Sequence, residues 1–161
     1  MARKLRHLDR NAASAHPSPA PTVFTEGEIN AYLASRDVQL PAGVESVHLE
    51  ATPGVVRGSA RVDFDKVRSR QASQNPLLSI FSGVHNVQVI VHAHGAGGKG
   101  IVHVDSVSLD NVEIPRFVLE LFVEKYLQPQ NPEIGLDSQF DLPDRISKAT
   151  IGLHQVTVVQ R

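Results

Sequence analysis

The chain has no cysteine, which excludes disulfides, thiol catalysis and zinc–thiolate sites together. Aromatic residues make up only 5%, too few and too scattered for a platform on which nucleic-acid bases could stack. No apolar run approaches the roughly 18 residues that a membrane-spanning helix needs. An excess of charge of one sign is missing too. The formal net charge is −1, so no global field gathers nucleic acid or an anionic membrane. The opening residues do not form a signal peptide, because Asp9, Arg10 and Asn11 stand where an apolar segment would have to follow Arg3, Lys4 and Arg6. What is present is an aliphatic composition, 41% hydrophobic over 161 residues. That is enough for the core of one soluble domain.

Residues 1–22 read as a disordered tail, basic at first and then rich in Pro, Ala and Ser, with Pro17, Pro19 and Pro21 alternating. The domain is expected over 23–161. Thr25 followed by Glu28 forms a capping box with Phe24 just ahead of it, and the helix it opens places Ile29, Tyr32 and Leu33 on one face. A first hairpin turns at Pro53-Gly54; its alternation predicts that Ala51 faces Val56, Val47 faces Ala60 and Glu50 faces Arg57. Polar residues 65–75 predict a short helical turn and loop, followed by an apolar knot at Leu77, Leu78, Ile80 and Phe81. A second, longer hairpin spans 84–112 and turns at Gly97-Gly98, where both positions can take positive φ. Next comes a helix with Pro115 at its first position, running to about Leu127, then a loop over 128–142. A third hairpin turns near His154-Gln155. The predicted fold class is α+β: a curved antiparallel sheet built from hairpins, of about five or six strands, packed on a long helix in the C-terminal half and a shorter N-terminal helix.

Residues 95–100 spell G-x-G-x-x-G. A dinucleotide loop must open a helix, and here the strand beginning at Ile101 follows, so the segment reads as a turn. The histidines carry more. With Gly97-Gly98 at the turn, His92 stands opposite His103, and plain alternation adds His94, Asp105, Ile90, Ile101, Val107 and Leu109 to that face. His92, His94, His103 and Asp105 are the best candidate metal cluster, since cross-strand neighbours converge on one face; the competing reading is a polar solvent face. Arg57, Arg61, Lys66, Arg68 and Arg70 form a basic edge suited to phosphates or phospholipid headgroups, but Asp63 and Asp65 among them favour a mixed surface. No nucleophile elbow or other catalytic constellation occurs, so a non-catalytic role without a cofactor is expected.

The 115–127 helix weighs most. Arg116, Glu120 and Glu124 form one polar stripe, while Phe117, Val118, Leu121, Phe122, Tyr126, Leu119 and Val123 fill most of the remaining circumference. A helix on a sheet needs an apolar arc only somewhat wider than about 100°. This one has two sides to bury: it is either sandwiched between sheet and helices, or part of it lines an apolar ligand site or docks on a partner or membrane.

The run Thr25-Glu26-Gly27-Glu28-Ile29-Asn30-Ala31-Tyr32, a strand ending VSLDNVEIP at 107–115, the apolar helix and DLPDRI at 141–146 together resemble the LmeA-like phospholipid-binding domains and, more distantly, the tubular lipid-binding fold. The resemblance spans about residues 24–160. It implies a curved sheet wrapped round a long helix, an apolar groove, and a lipid carrier in the periplasm or cell envelope. The leading expectation is a binding domain for lipid or another hydrophobic small molecule. Its ligand residues, chosen from amphipathicity, are Leu77, Ile80, Phe81, Val118, Leu121, Phe122 and Tyr126. Peripheral membrane association and homo-oligomerisation are compatible with it, and nucleic acid is not an expected partner. The alternatives are a protein-interaction or assembly domain and, third, a His-rich metal-binding protein.

Overall fold

The computed structural model describes residues 1–68 and 75–161. Most of the loop expected over 65–75, and Arg70 with it, lies outside the described residues. Among those described there are nine strands and four α-helices in an α+β arrangement, and every strand pairing is antiparallel.

Six of the strands are the three expected hairpins: β2 (Val44–Thr52) with β3 (Val55–Asp63), β4 (Val84–Ala96) with β5 (Lys99–Leu109), and β8 (Ile146–Gly152) with β9 (Gln155–Gln160). Ala51 pairs with Val56, Val47 with Ala60 and Glu50 with Arg57, as the alternation predicts. The last hairpin turns at Leu153-His154, one residue earlier than expected, with Gly152 opposite Gln155. The count of five or six strands is corrected by three short ones, β1 (Thr22–Thr25), β6 (Val112–Glu113) and β7 (Asp137–Asp141). None is long enough to display a period of two residues in sequence, and β7 lies inside the expected 128–142 loop.

β4 is the axis of the sheet. β3 pairs along its first part and β8 along its tip, both on one edge, while β5 runs along the other. Gly95 is where β4 meets β8: a Cβ there would come within 2.9 Å of the Ala149 side chain, so the close approach requires glycine. The β2–β3 turn is wedged at the same junction, with Gly54 N–H donating to the Ile151 carbonyl at 3.0 Å and Ala93 N–H to the Gly54 carbonyl at 3.1 Å.

Part of the stretch 1–22, expected as a disordered tail, is helical. Residues Ala2–Ala12 form α1, an amphipathic helix whose Leu8 is buried against Phe24, Ile146 and Val158, with Met1 and Leu5 packed alongside. Polar anchors fix it. Lys4 Nζ donates to the Val23 carbonyl at 2.7 Å and to Glu28 at 2.6 Å, and Gln160, 2% exposed, donates to the carbonyls of Leu8 and Asp144 and accepts from Asn11. The Ala/Ser/Pro stretch that follows concealed the spacing of Met1, Leu5 and Leu8, which is helical.

α2 (Glu26–Leu33) carries the predicted capping box: Thr25 Oγ1 accepts from Glu28 N–H, and the Glu28 carboxylate accepts from Thr25 N–H. The helix also protects the outer edge of β2. The Asn30 amide accepts from Leu49 N–H and donates to its carbonyl, both at 2.8 Å, and Glu26 accepts from Ala51 N–H at 2.8 Å. Side chains thus satisfy backbone groups that would otherwise invite another strand.

The second and larger core lies on the valine face of β3–β5. There Val62, Phe64, Leu78, Phe81, Leu109 and Ile114 pack with the C-terminal-half helix. That helix also departs from expectation. It is α-helical only over Arg116–Phe122 (α4), after which Val123–Leu127 widen into a π turn, with Gln128 N–H reaching the Val123 carbonyl at 2.9 Å.

Candidate functional site

α4 and its π turn cover an apolar cavity of about 330 Å³. The sheet contributes Val62, Val87, Val89, Val104, Val107 and Leu109. The helix contributes Leu119, Phe122, Val123 and Leu127; Phe64, Val67 and Phe81 close one side, and Ile134, Gly135 and Leu136 another. Every lining side chain is apolar.

A β-bulge decides which residues of β5 reach this cavity. Ile90 pairs with Ser106 but Val91 pairs with Val104, so Asp105 is the extra residue. Beyond it the alternation is inverted. Val107 and Leu109, which plain alternation assigns to the histidine face, pair with Val89 and Val87 and line the cavity. That exchange takes two of the four apolar residues off the histidine face and leaves Ile90 and Ile101 on it. A valine face interrupted by one added residue gives no warning in sequence, since Asp105 is unremarkable in a strand of alternating polar residues.

Of the seven ligand residues expected from amphipathicity, Phe81 and Phe122 line the cavity. Val118 and Tyr126 are buried in the core around it, with Leu121 packed against them. Leu77 and Ile80 do not join: they are 45% and 42% exposed. Together with Phe117, 56% exposed, they leave apolar surface where α4 meets the Pro76–Leu78 turn. Ile134 and Leu136 were missed because they lie among prolines and glycine. Two apolar residues in such a loop were the available signal.

Aromatic rings back the cavity. Phe81 and Phe122 have centroids 4.3 Å apart, Phe64 stands edge-on to Phe122 at 5.8 Å, and Tyr126 is 5.2 Å from Phe122. Behind this cluster two polar atoms are buried without a hydrogen-bond partner among the described residues, the Tyr126 hydroxyl and Arg68 Nε. Arg68 donates to Asp65 at 2.9 Å through another nitrogen. Asp65 chiefly raises the guanidinium's pKa against the effect of burial, and the neighbouring Tyr126 phenol adds to it.

The opposite face of the β4–β5 hairpin is an exposed ladder of ion pairs. His92 Nδ1 stands 2.8 Å from Asp105, His103 Nε2 3.4 Å from Asp105, and His103 Nδ1 meets Asp137. Arg116 donates to Asp137 at 2.8 Å and to the Val104 carbonyl at 3.0 Å. His103 foremost, with Arg116, holds the Asp137 carboxyl below its usual range. The predicted pairing of His92 with His103 is observed, but His94 faces Ile101. Among the described residues no group of three or more His, Asp or Glu is arranged to hold a metal ion. The ladder instead ties the start of α4 to β5 and to the segment 134–137 bordering the cavity. The glycine loop is a hairpin turn, with φ of 59° and 75° at Gly97 and Gly98.

No family model matches the chain, and neither a curated protein nor a solved structure is found to be similar to it.

Proposed function

We propose that this domain is a non-catalytic binding protein for lipid or another hydrophobic ligand, held between the sheet and α4. One observation carries the reading: a cavity of about 330 Å³ whose lining is wholly apolar. Ligand pockets typically span roughly 300–1,000 Å³ and are mainly apolar. The cavity's valine, leucine and phenylalanine walls suit an acyl chain. The π turn supports the reading further, because such widenings recur at functional sites. The resemblance to phospholipid-binding domains points the same way and suggests a carrier of the cell envelope.

The test is purification under native conditions, followed by native mass spectrometry, lipid extraction and titration with a fluorescent fatty-acid probe. The expected result is a bound lipid or saturable probe binding, weakened at least tenfold by Val107→Trp, which fills the cavity from the sheet side. A protein that isolates empty and does not bind the probe overturns the reading.

A second reading, an assembly domain, draws on the exposed Leu77, Ile80 and Phe117, since apolar surface of this kind serves partner contact. It predicts a concentration-dependent oligomer in light scattering that Phe117→Ser disperses. A strict monomer argues against it.

A further inference from the structure

The chain is nearly neutral as a whole, but its cations are unevenly spread. Residues 1–12 hold Arg3, Lys4, Arg6 and Arg10 against Asp9 alone, and acidic residues outnumber basic ones over the remainder. Helix α1 sorts these charges by face. With 3.6 residues to a turn, Arg3, Arg6, His7 and Arg10 fall within an arc of about 100°, and all four are exposed. Met1, Leu5 and Leu8 lie on the opposite side, packed with Phe24, Ile146 and Val158. Lys4, on the flank, is engaged by Val23 and Glu28. The three arginines are not engaged in this way. Among the described residues none of them has an acidic partner, and the one side-chain bond they make runs from Arg10 Nε to the Arg6 carbonyl at 3.2 Å. Arg145 brings a fourth guanidinium to the C-terminal end of the helix, where it donates to the Ser14 carbonyl at 3.3 Å.

Stability does not account for this stripe. Arg3 with Arg6, and Arg6 with Arg10, are like charges at the spacings where helix neighbours repel. Arg3 also stands in the first turn, where the helix dipole disfavours a cation and no acidic residue offsets it. A partner that satisfies the stripe is anionic, and its form follows from what else α1 offers. Residues 1–22 contain no Phe, Tyr or Trp and no exposed large hydrophobic residue. The helix therefore has neither an aromatic to stack on bases nor an anchor of the kind that centres a protein interface. A nucleic acid would run past both ends of this 11-residue helix and meet the acidic remainder of the chain. Bilayer headgroups instead gather under cations wherever these lie, and each Lys or Arg held near an anionic surface strengthens binding about fivefold.

We propose that the Arg3–Arg6–Arg10 face of α1 is a docking surface for an anionic lipid bilayer. The apolar side of α1 is already buried in the domain, so the helix docks by attraction to headgroups and does not sink into the hydrocarbon as a free amphipathic helix does. The proposal is independent of what the apolar cavity holds.

The test is co-sedimentation of the full chain with vesicles of phosphatidylcholine alone and of phosphatidylcholine mixed with phosphatidylserine. Binding to a short DNA duplex is followed in parallel by fluorescence anisotropy. Three triple variants are compared: Arg3→Gln/Arg6→Gln/Arg10→Gln, the same positions changed to Lys, and Arg57→Gln/Arg61→Gln/Lys66→Gln, which removes as much charge from another part of the surface. Circular dichroism checks that α1 stays folded. The expected result is binding to the mixed vesicles alone, released at about 1 M salt, where screening shortens to about 3 Å. The glutamine triple on α1 should weaken that binding roughly a hundredfold, while the lysine triple and the Arg57/Arg61/Lys66 triple bind like the wild type. Equal binding to both vesicle types overturns the proposal, as does undiminished binding by the glutamine triple on α1. An equal loss in the Arg57/Arg61/Lys66 triple overturns it too, because overall charge then explains the effect. Tighter binding to the duplex than to the vesicles, lost in the α1 glutamine triple, assigns the face to nucleic acid instead.

Discussion

The molecule has two cores that treat buried polarity in opposite ways. Around α1, Gln160 is almost fully enclosed, yet it reaches Leu8, Asn11 and Asp144. Around α4, Tyr126 is nearly as enclosed but its hydroxyl has no partner among the described residues. In the first core, satisfied polar groups lock one helix in place. The second borders the apolar cavity and leaves two buried polar atoms without a partner of ordinary geometry among the described residues, an arrangement that stability alone does not favour. What a region leaves unsatisfied is therefore a better guide to its role here than how hydrophobic it is.

The sharpest way to break this comparison is to cut each core at its centre. Phe81→Ala, in the ring cluster beside the cavity, is expected to cost about 3–5 kcal/mol, and Leu8→Ala beneath α1 about 2–5 kcal/mol, both read by urea denaturation. Only Phe81→Ala should also change ligand binding. Equal binding effects from the two would erase the distinction between scaffold and site.

A smaller and more telling contrast comes from the polar groups. Gln160→Leu strands the Leu8 and Asp144 carbonyls and is expected to cost about 1–3 kcal/mol. Tyr126→Phe removes a hydroxyl with nothing to lose and is expected to fall within about 0.5 kcal/mol of the wild-type ligand-free chain. A loss of more than about 1 kcal/mol in Tyr126→Phe would mean that the hydroxyl is structurally engaged after all.

The smallest effects separate the cores by pH. Lys4 first, and the Thr25 N–H next, hold the Glu28 carboxyl down at about 2. Its contribution to docking α1 is complete above the usual carboxylate range and lost as the pH falls toward that value. Near the other core, Asp110 first, then the Ser82 carbonyl, raise the His85 pKa above 6.5. That contribution is complete below the ordinary histidine range and lost as the pH climbs through the raised value. Hydrogen exchange should show α1 and β1 loosening first in acid and the 82–86 and 110–111 segments loosening first above neutrality. Lys4→Ala should abolish the acid effect alone. The Asp110 carboxyl is itself held low, first by His85 and then by the Asn86 N–H, so its segment loosens in acid too; the separation is refuted if α1 also loosens above neutrality.

Much of the frame was legible because hairpins state their own register. Glu50 opposite Arg57 and His92 opposite His103 follow from a turn and a count. The capping box at Thr25 likewise marks its helix without tertiary information. The candidate site was legible only in outline. The apolar girth of the 116–127 segment indicated that something must cover two sides, but amphipathicity could not separate Val118, which packs against core, from Val123, which borders a void. Leu77 and Ile80 looked like core because they cluster with Phe81 in sequence, yet a single 3₁₀ turn sends them outward. Helix α1 was lost for the opposite reason: its few apolar residues become meaningful only when Phe24, Ile146 and Val158 are brought beneath them.

The bulge at Asp105 makes the cavity wall a matter of parity. Every residue of β5 beyond it owes its wet or dry address to whether the count from the Gly97-Gly98 turn is odd or even, and Asp105 alters that count by one. Deleting Asp105 would leave the pairings of Val104, Ser106, Val107 and Leu109 unchanged and keep Val107 and Leu109 inward, whereas a β5 straightened with Asp105 in place would turn Ser106 and Ser108 inward and send Val107 and Leu109 out to water. The bulge is thus what lets an aspartate sit within β5 without costing the greasy interior its wall.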